Sequence, residues 1–460
     1  MATKPICHLL RMPLAILLIV LEDVPFFNFR LASKACRNES QYLFFRSFTI
    51  HDRTLLGPSL SSPMLERLRD RNERTGEYVR HLKIGPFKDE DKFKLEILPV
   101  LETVLRSVSN LQDLTWRVNC ELPLAMLNLF YELHPSARLH WIIRNRRFQP
   151  LNHSLLSSPR LHTLDAEIYA TIPEQTGHSL SELSYIKNTM PASLQVLRLS
   201  TLDVDEPSQR AQFEKWEYVK YGMFHFDFQP GDQFPALLEL ALRQNEFALT
   251  EQNCNLWAHA TSWERLQRLD LPKGTSPHFI ASLTNRATNL KYLKFHISTP
   301  GFRGVYRPYG DGNWLNARVD TFSIMARFLA SIKSLHTLDF AYKDNEILIR
   351  YLRVMLQSLH GSLRSLTISD MGGYDYFPMD PLPSGKPYWD PEQYQEVLEL
   401  APGLEHLNAR IGTRDSVVGD WECQDRYADV KKKWRTAKKN VTATARARTQ
   451  RGQRAQKLIW

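Results

Sequence analysis

The chain has 460 residues, 43% of them apolar, and its 59 Lys and Arg against 50 Asp and Glu give a formal charge of +9. Such a composition suits a folded chain with an ample core, and the length points to several domains or one extended architecture rather than one compact domain. Eleven positive charges and no acidic residue fall within 431–460, leaving 48 basic and 50 acidic residues elsewhere, so the charge argues for nucleic-acid contact only through that tail.

Cys7, Cys36, Cys120, Cys254 and Cys423 are odd in number, far apart and never spaced as CxxC. They fit neither a disulfide framework nor a zinc site, which favours a reducing compartment and a cytoplasmic or nuclear location. The histidines are scattered without HExxH, so no metal site or cofactor is expected. No GxSxG elbow, Walker loop or GxGxxG following a strand occurs, and "GFRGVYRPYGDGNW" (301–314) lacks the Lys-Ser/Thr that holds phosphate and magnesium. The chain is therefore read as non-catalytic, without a small-molecule substrate.

Taken in chain order, the first feature is "MPLAILLIVLEDVPFFNFRLASKACR" at 12–37. Its ten-residue apolar run spans only about half a bilayer core as a helix, which excludes a transmembrane segment and a membrane partner. Lys4 and Arg11 precede it as in an export signal, and Asn38, Asn152 and Asn440 head glycosylation tripeptides. However, the run ends in Glu22-Asp23-Val24-Pro25 with no small-x-small cleavage site. Pro13 suits a first helical turn, and Leu14, Leu17, Leu18 and Leu21 share one stripe.

A repeated cadence follows. "NLQDLTWRV" (110–118), "RLHTLDAEI" (160–168), "SLQVLRLS" (193–200), "ALLELALRQNEF" (236–247), "RLQRLDLP" (265–272), "NLKYLKFHI" (289–297), "SLHTLDFAY" (334–342), "SLRSLTISD" (362–370) and "GLEHLNARI" (403–411) share one frame, Leu-x-x-Leu-x-apolar. The last has Ala409 in the third place, and weaker copies are read at Val79-Leu82-Ile84 and Leu139-Ile142. The second and third apolar positions are two apart, as on one face of a strand, and the first leucine turns the chain into it. Leu197 and Leu199, or Leu269 and Leu271, are then buried, and their neighbours point outward.

Between the strands, 91–108, 319–332, 345–360 and 391–401 carry apolar residues at helical spacing, each able to lay one stripe on the strand layer. Strand plus amphipathic helix, stacked many times, is a solenoid. Three insertions, 203–234, 298–320 and 370–390, are rich in aromatic residues, Gly and Pro, and read either as recognition loops or as satellite packing. The outward strand positions, Glu167, Arg198, Glu239, Arg243, Arg268, Asp270, Tyr292, Lys294, His296 and Asp339, form a mixed-charge face. Arg198, Arg243, Arg268, Tyr292 and His296 are its candidate partner-binding residues.

The cadence over 79–411 resembles the leucine-rich-repeat family, although only Leu237, Leu240, Leu242, Asn245 and Phe247 meet the family's fuller pattern. The repeats run 24 to 45 residues from Leu161 to Leu404, so the resemblance implies an α/β solenoid, an irregular horseshoe of short parallel strands and long helices. Residues 9–50 in turn resemble an F-box, the small helical module that docks on the Skp-type adaptor of a cullin-RING ubiquitin ligase. Met12, Pro13, Ile16 and Leu17 match its opening, Val20, Leu21, Phe29, Leu31 and Lys34 its helices, and "YLFFRSFTI" (42–50) its closing segment. Ala15 stands where the family has Glu, and the stretch between Ile16 and Lys34 is shorter by nearly one helical turn.

The resemblances imply three regions: an F-box-like module at 1–50, repeats at 51–420 and a basic tail at 421–460. They also imply a ligase subunit that grips its adaptor at Met12–Lys34 and a protein substrate on the repeats. A leucine-rich-repeat scaffold with no ligase role is the alternative.

Overall fold

Short strands form where the cadence forces alternate side chains inward. The computed structural model describes residues 45–51, 66–68, 75–87, 91, 93–118, 122–144, 151–168, 182–201, 226, 228–243, 251–271, 275, 277–297, 321–342, 345–359, 361–370, 396–397 and 399–409. The chain divides into two compact units, one of Met1–Glu167 with Thr189–Leu194, the other of Ile168–Asn188 with Gln195–Trp460.

In the first unit β1 (Ser47–Ile50), β2 (His81–Ile84), β3 (Asp113–Trp116), β4 (Arg138–Ile143) and β5 (Leu161–Ile168) pair in parallel and in chain order. In the second, β6 (Val196–Thr201), β7 (Glu239–Arg243), β8 (Arg268–Asp270), β9 (Tyr292–Ile297), β10 (Thr337–Tyr342), β11 (Ser365–Asp370) and β12 (His406–Ala409) do the same. Parallel strands in chain order, joined by helices, are the architecture of a leucine-rich-repeat solenoid.

The register puts the second leucines in columns. Leu197, Leu240, Leu269, Leu293, Leu338, Leu366 and Leu407 pair in succession, and all but the terminal Leu407 are buried. Leu82, Leu114 and Leu139 make the matching column of the first unit. The first leucines, such as Leu237, Leu266, Leu290, Leu335 and Leu363, are buried at the turns into the strands.

Each such turn is tied to the repeat before it. The N–H groups of Gln267 and Arg268 both donate to the Leu238 carbonyl, those of Lys291 and Tyr292 to Gln267, and those of Arg364 and Ser365 to His336. The residue before the first leucine adds a side-chain bond: Asn289 Nδ2 donates to the Glu264 carbonyl, Ser362 Oγ to Leu335, and Asn110 Nδ2 to Glu77.

The longer helices each bury apolar residues. α1 (Thr75–Tyr78) precedes β2, and a π-helical turn at Phe93–Ile97 leads into α2 (Leu98–Ser107), which has Pro in its first turn and buries Leu101, Val104 and Leu105. α3 (Leu124–Leu133), α4 (His153–Leu156) and α5 (Glu182–Thr189) follow. Asn152, a glycosylation tripeptide residue, caps α4 through Oδ1, which accepts from Leu155 N at 2.9 Å. α6 (Glu251–Ala260), α7 (Pro277–Leu283), α8 (Thr321–Ser331) and α9 (Asn345–Ser358) pack on one another in sequence.

Two expectations are revised. Residues 47–50, matched above to the closing segment of a helical module, form β1 and pair with β2, because Phe48 and Ile50 alternate inward and are buried. The boundary expected at residue 50 thus falls at the end of a sheet strand. The weak copy at Leu139-Ile142 is out of frame: Leu139, Trp141 and Ile143 are buried, and Ile142, one residue off the period of two, is only half-buried. Of the two readings of the insertion at 203–234, its described end takes satellite packing. Phe226, Phe228 and Phe234 are buried against Trp257 of α6, with ring centroids 4.9, 5.6 and 6.1 Å away, and Lys187 holds Asp232 at 2.5 Å beside them. The other two aromatic insertions lie outside the described residues, apart from Asp370.

Gly85 marks the tightest passage of the first unit. Its φ is +90°, and a Cβ there would sit 2.3 Å from the Arg117 carbonyl oxygen. Gly85→Ala is expected to destabilise the fold by roughly 2–4 kcal/mol, adding left-handed strain to a backbone clash. Urea unfolding followed by far-UV circular dichroism checks this, and an unchanged midpoint would contradict the placement.

Candidate functional site

Because inward columns take the apolar residues, the alternate positions build a polar face in each unit. In the second unit it is a lattice of ion pairs. Arg198 donates from Nε and Nη2 to the two Glu239 carboxylate oxygens at 2.8 and 2.9 Å, one strand over. Arg268 reaches Glu239 from the other side at 3.3 Å, and its guanidinium lies 3.7 Å above the Tyr292 ring. Arg243 and Asp270 are 4.0 Å apart, as are Lys294 and Asp339.

The structure thus brings four of the five expected partner-binding residues, Arg198, Arg243, Arg268 and Tyr292, onto one face. His296 takes the β9 register position opposite Ala341. The adaptor-binding set Met12, Pro13, Ile16, Leu17, Val20, Leu21, Phe29, Leu31 and Lys34 lies outside the described residues, as does the basic tail.

Burial tunes these groups. It pushes the Asp270 carboxyl above the ordinary range, against the pull of Lys294, Arg243 and Arg268, and does the same to Asp339 against Lys294. The Tyr292 phenol is raised by burial too, with Arg268 pulling back.

The first unit holds a cluster that the sequence reading missed. Asp113 is buried, aligned between His81 and Arg138, and accepts four hydrogen bonds. His81 Nδ1 lies 2.7 Å from Oδ2, Arg138 donates from Nε to Oδ1 at 2.7 Å and from Nη2 to Oδ2 at 3.0 Å, and His140 Nε2 lies 2.8 Å from Oδ1. Thr163 Oγ1 closes the chain 2.9 Å from His140 Nδ1. Burial raises the Asp113 carboxyl, but the hydrogen bonds and charges of Arg138 and His140 outweigh it and hold the pKa at about 2. Burial pushes the His140 ring down, only partly offset by Asp113, so at neutral pH it is a neutral ring donating from Nε2 and accepting from Thr163.

The signal was the position just before the second strand leucine. It reads His81, Asp113 and Arg138 in successive repeats, and Glu239, Arg268 and Tyr292 in the second unit. Among the described residues no group of three or more His, Cys, Asp and Glu can hold a metal ion, and no helix is long and apolar enough to cross a membrane. Cys254 is buried and is not part of a disulfide.

No family model matches this chain, and no curated protein does. Among solved structures, it is similar to the leucine-rich repeat-containing protein LegL7 from Legionella pneumophila, at 12% identity over 79% of this chain and 94% of that one, with a TM-score of 0.30. So loose a superposition transfers no activity and no partner.

Asp113 ties stability to pH. Its carboxyl is held below the ordinary 3.8, so its contribution is full above about pH 4 and is lost as pH falls toward 2; the shift corresponds to about 2 kcal/mol. His140, whose pKa is also lowered, takes stability in the same direction as pH drops below its ordinary 6.5. Asp113→Asn should flatten the acid limb between pH 4 and 2 while lowering stability at pH 7 by about 1–3 kcal/mol. Urea midpoints measured across that range test it, and an unaltered acid limb would refute the assignment.

Proposed function

We propose that this chain is a protein-recognition scaffold whose outward strand face binds a polypeptide. More specifically, we read it as the non-catalytic substrate receptor of a cullin-RING (SCF-type) ubiquitin ligase, with Met12–Lys34 engaging the Skp-type adaptor. The observation that carries the recognition reading is the Arg198–Glu239–Arg268–Tyr292 row. Arg and Tyr are the residue types of interaction hot spots, and here their geometry is set before a partner arrives. Stacking on a ring contributes about 0.5–2 kcal/mol and leaves guanidinium edges facing outward. In the ligase reading the chemistry of ubiquitin transfer belongs to other subunits, and this chain supplies positioning.

The ligase part is supported by the F-box-like order of features ahead of the repeats. A scaffold without that role is favoured by one observation: Ser47–Ile50, which the F-box match needs as its closing segment, are used as β1 of the repeat sheet.

Two measurements separate these readings. The ligase reading expects the full chain to co-purify with a Skp-type adaptor and to lose it on Leu17→Asp with Leu21→Asp; an intact, folded chain that retains no adaptor would leave the scaffold alone. Arg268→Ala with Tyr292→Ala should keep the adaptor but weaken substrate capture by roughly tenfold or more. Capture unaffected by this pair would remove the recognition face itself.

A further inference from the structure

We infer that the outward strand face of the first unit is a docking surface for an acidic polypeptide segment. It involves other residues than the Arg198–Tyr292 row, so either reading can fail without the other.

Apart from half-buried Glu167 at the end of β5, charge on this face is segregated by depth. The Asp113 and Asp165 side chains are 9% and 8% exposed, whereas their partners Arg138 and Arg144 are 53% and 43% exposed. The carboxylates sit beneath the guanidiniums, and an approaching chain meets cations first. Nor are those cations saturated. Arg138 engages Asp113 through Nε and Nη2, and Arg144 engages Asp165 through Nη2 alone. Among the described residues, Arg138 Nη1, Arg144 Nε and Nη1, and the side chains of the exposed Lys83 and Arg117 have no hydrogen-bond acceptor.

The register sets their spacing. Lys83, Thr115 and His140 are aligned on β2, β3 and β4, so Lys83 lies two strand spacings, about 10 Å, from β4. Carboxylates on alternate residues of an extended chain are about 7 Å apart, within reach of cations so placed.

A polypeptide fits better than a nucleic acid. Single strands bind on aromatic platforms, but the outward positions of β2 to β5 carry no Phe, Tyr or Trp, and Trp116 and Trp141 are buried on the other side. Half-buried Ile142, on the cationic side of β4, instead offers apolar contact to a side chain.

The test uses the full chain and a fluorescein-labelled decaglutamate peptide, with fluorescence anisotropy at about 50 mM salt, where exposed charges are weakly screened. Lys83→Glu with Arg117→Glu should weaken binding at least about tenfold, and Lys83→Gln with Arg117→Gln by a smaller factor. Neither pair removes a side-chain hydrogen bond or ion pair among the described residues, so thermal midpoints should hold. The basic tail is present in every variant and cancels. Bound peptide should slow hydrogen exchange in β2 and β4. Equal affinity of the wild-type chain and the charge-reversed variant would overturn the proposal. So would a single-stranded oligothymidine that binds more tightly than decaglutamate and is lost in the same variant.

Discussion

Everything in these units hangs on how one repeat is fastened to the next. Two successive N–H groups at the start of a strand converge on a single carbonyl of the preceding repeat, as Arg364 and Ser365 do on His336. That fork fixes the register to the residue, and in a sheet a one-residue slip would turn every side chain over. Once it is set, the leucines must stack in columns and the intervening residues must line the opposite side. Asn289 and Ser362 reinforce the fork with a side-chain bond, which is why Asn or Ser so often stands ahead of the first leucine.

Stability and the proposed recognition are consequently divided between the two sides of each strand. A buried leucine contributes roughly 1.5–3 kcal/mol, so a column such as Leu197–Leu366 outweighs the ion pairs opposite it, each adding at most about 1 kcal/mol where exposed. The outward residues are therefore released from holding the fold together and can be chosen for a partner. Asp113, Asp165 and Asp270 are exceptions, buried carboxylates on the outward side, and Asp113 depends on all of its donors.

The repeats were legible because Leu-x-x-Leu-x-apolar encodes both a turn and a strand face. Where a different residue filled the frame, legibility failed. β1 uses Phe48 and Ile50 in place of leucines, and Ile142 imitated a repeat leucine while sitting on the wrong side. α3 was missed because Leu124, Met126, Leu127, Leu129 and Phe130 scatter apolar residues around the helix and blur its stripe. The polar face was foreseen as a row of positions but not as pairs. Arg198 and Glu239 are 41 residues apart and Asp113 and Arg138 25 apart, and only the register joins them.

The insertion that ends at Phe226, Phe228 and Phe234 brings its own clasp. Three rings close on Trp257, Asp232 is held by Lys187, and Phe234 bridges to Thr261, so the chain is returned to the sheet at a fixed point whatever precedes it. The return of the chain into β7 thus has its own anchor, made by residues 226–234. That makes this junction a natural graft site, where new sequence can be tried by evolution or by an engineer without asking β6 and β7 to find each other again.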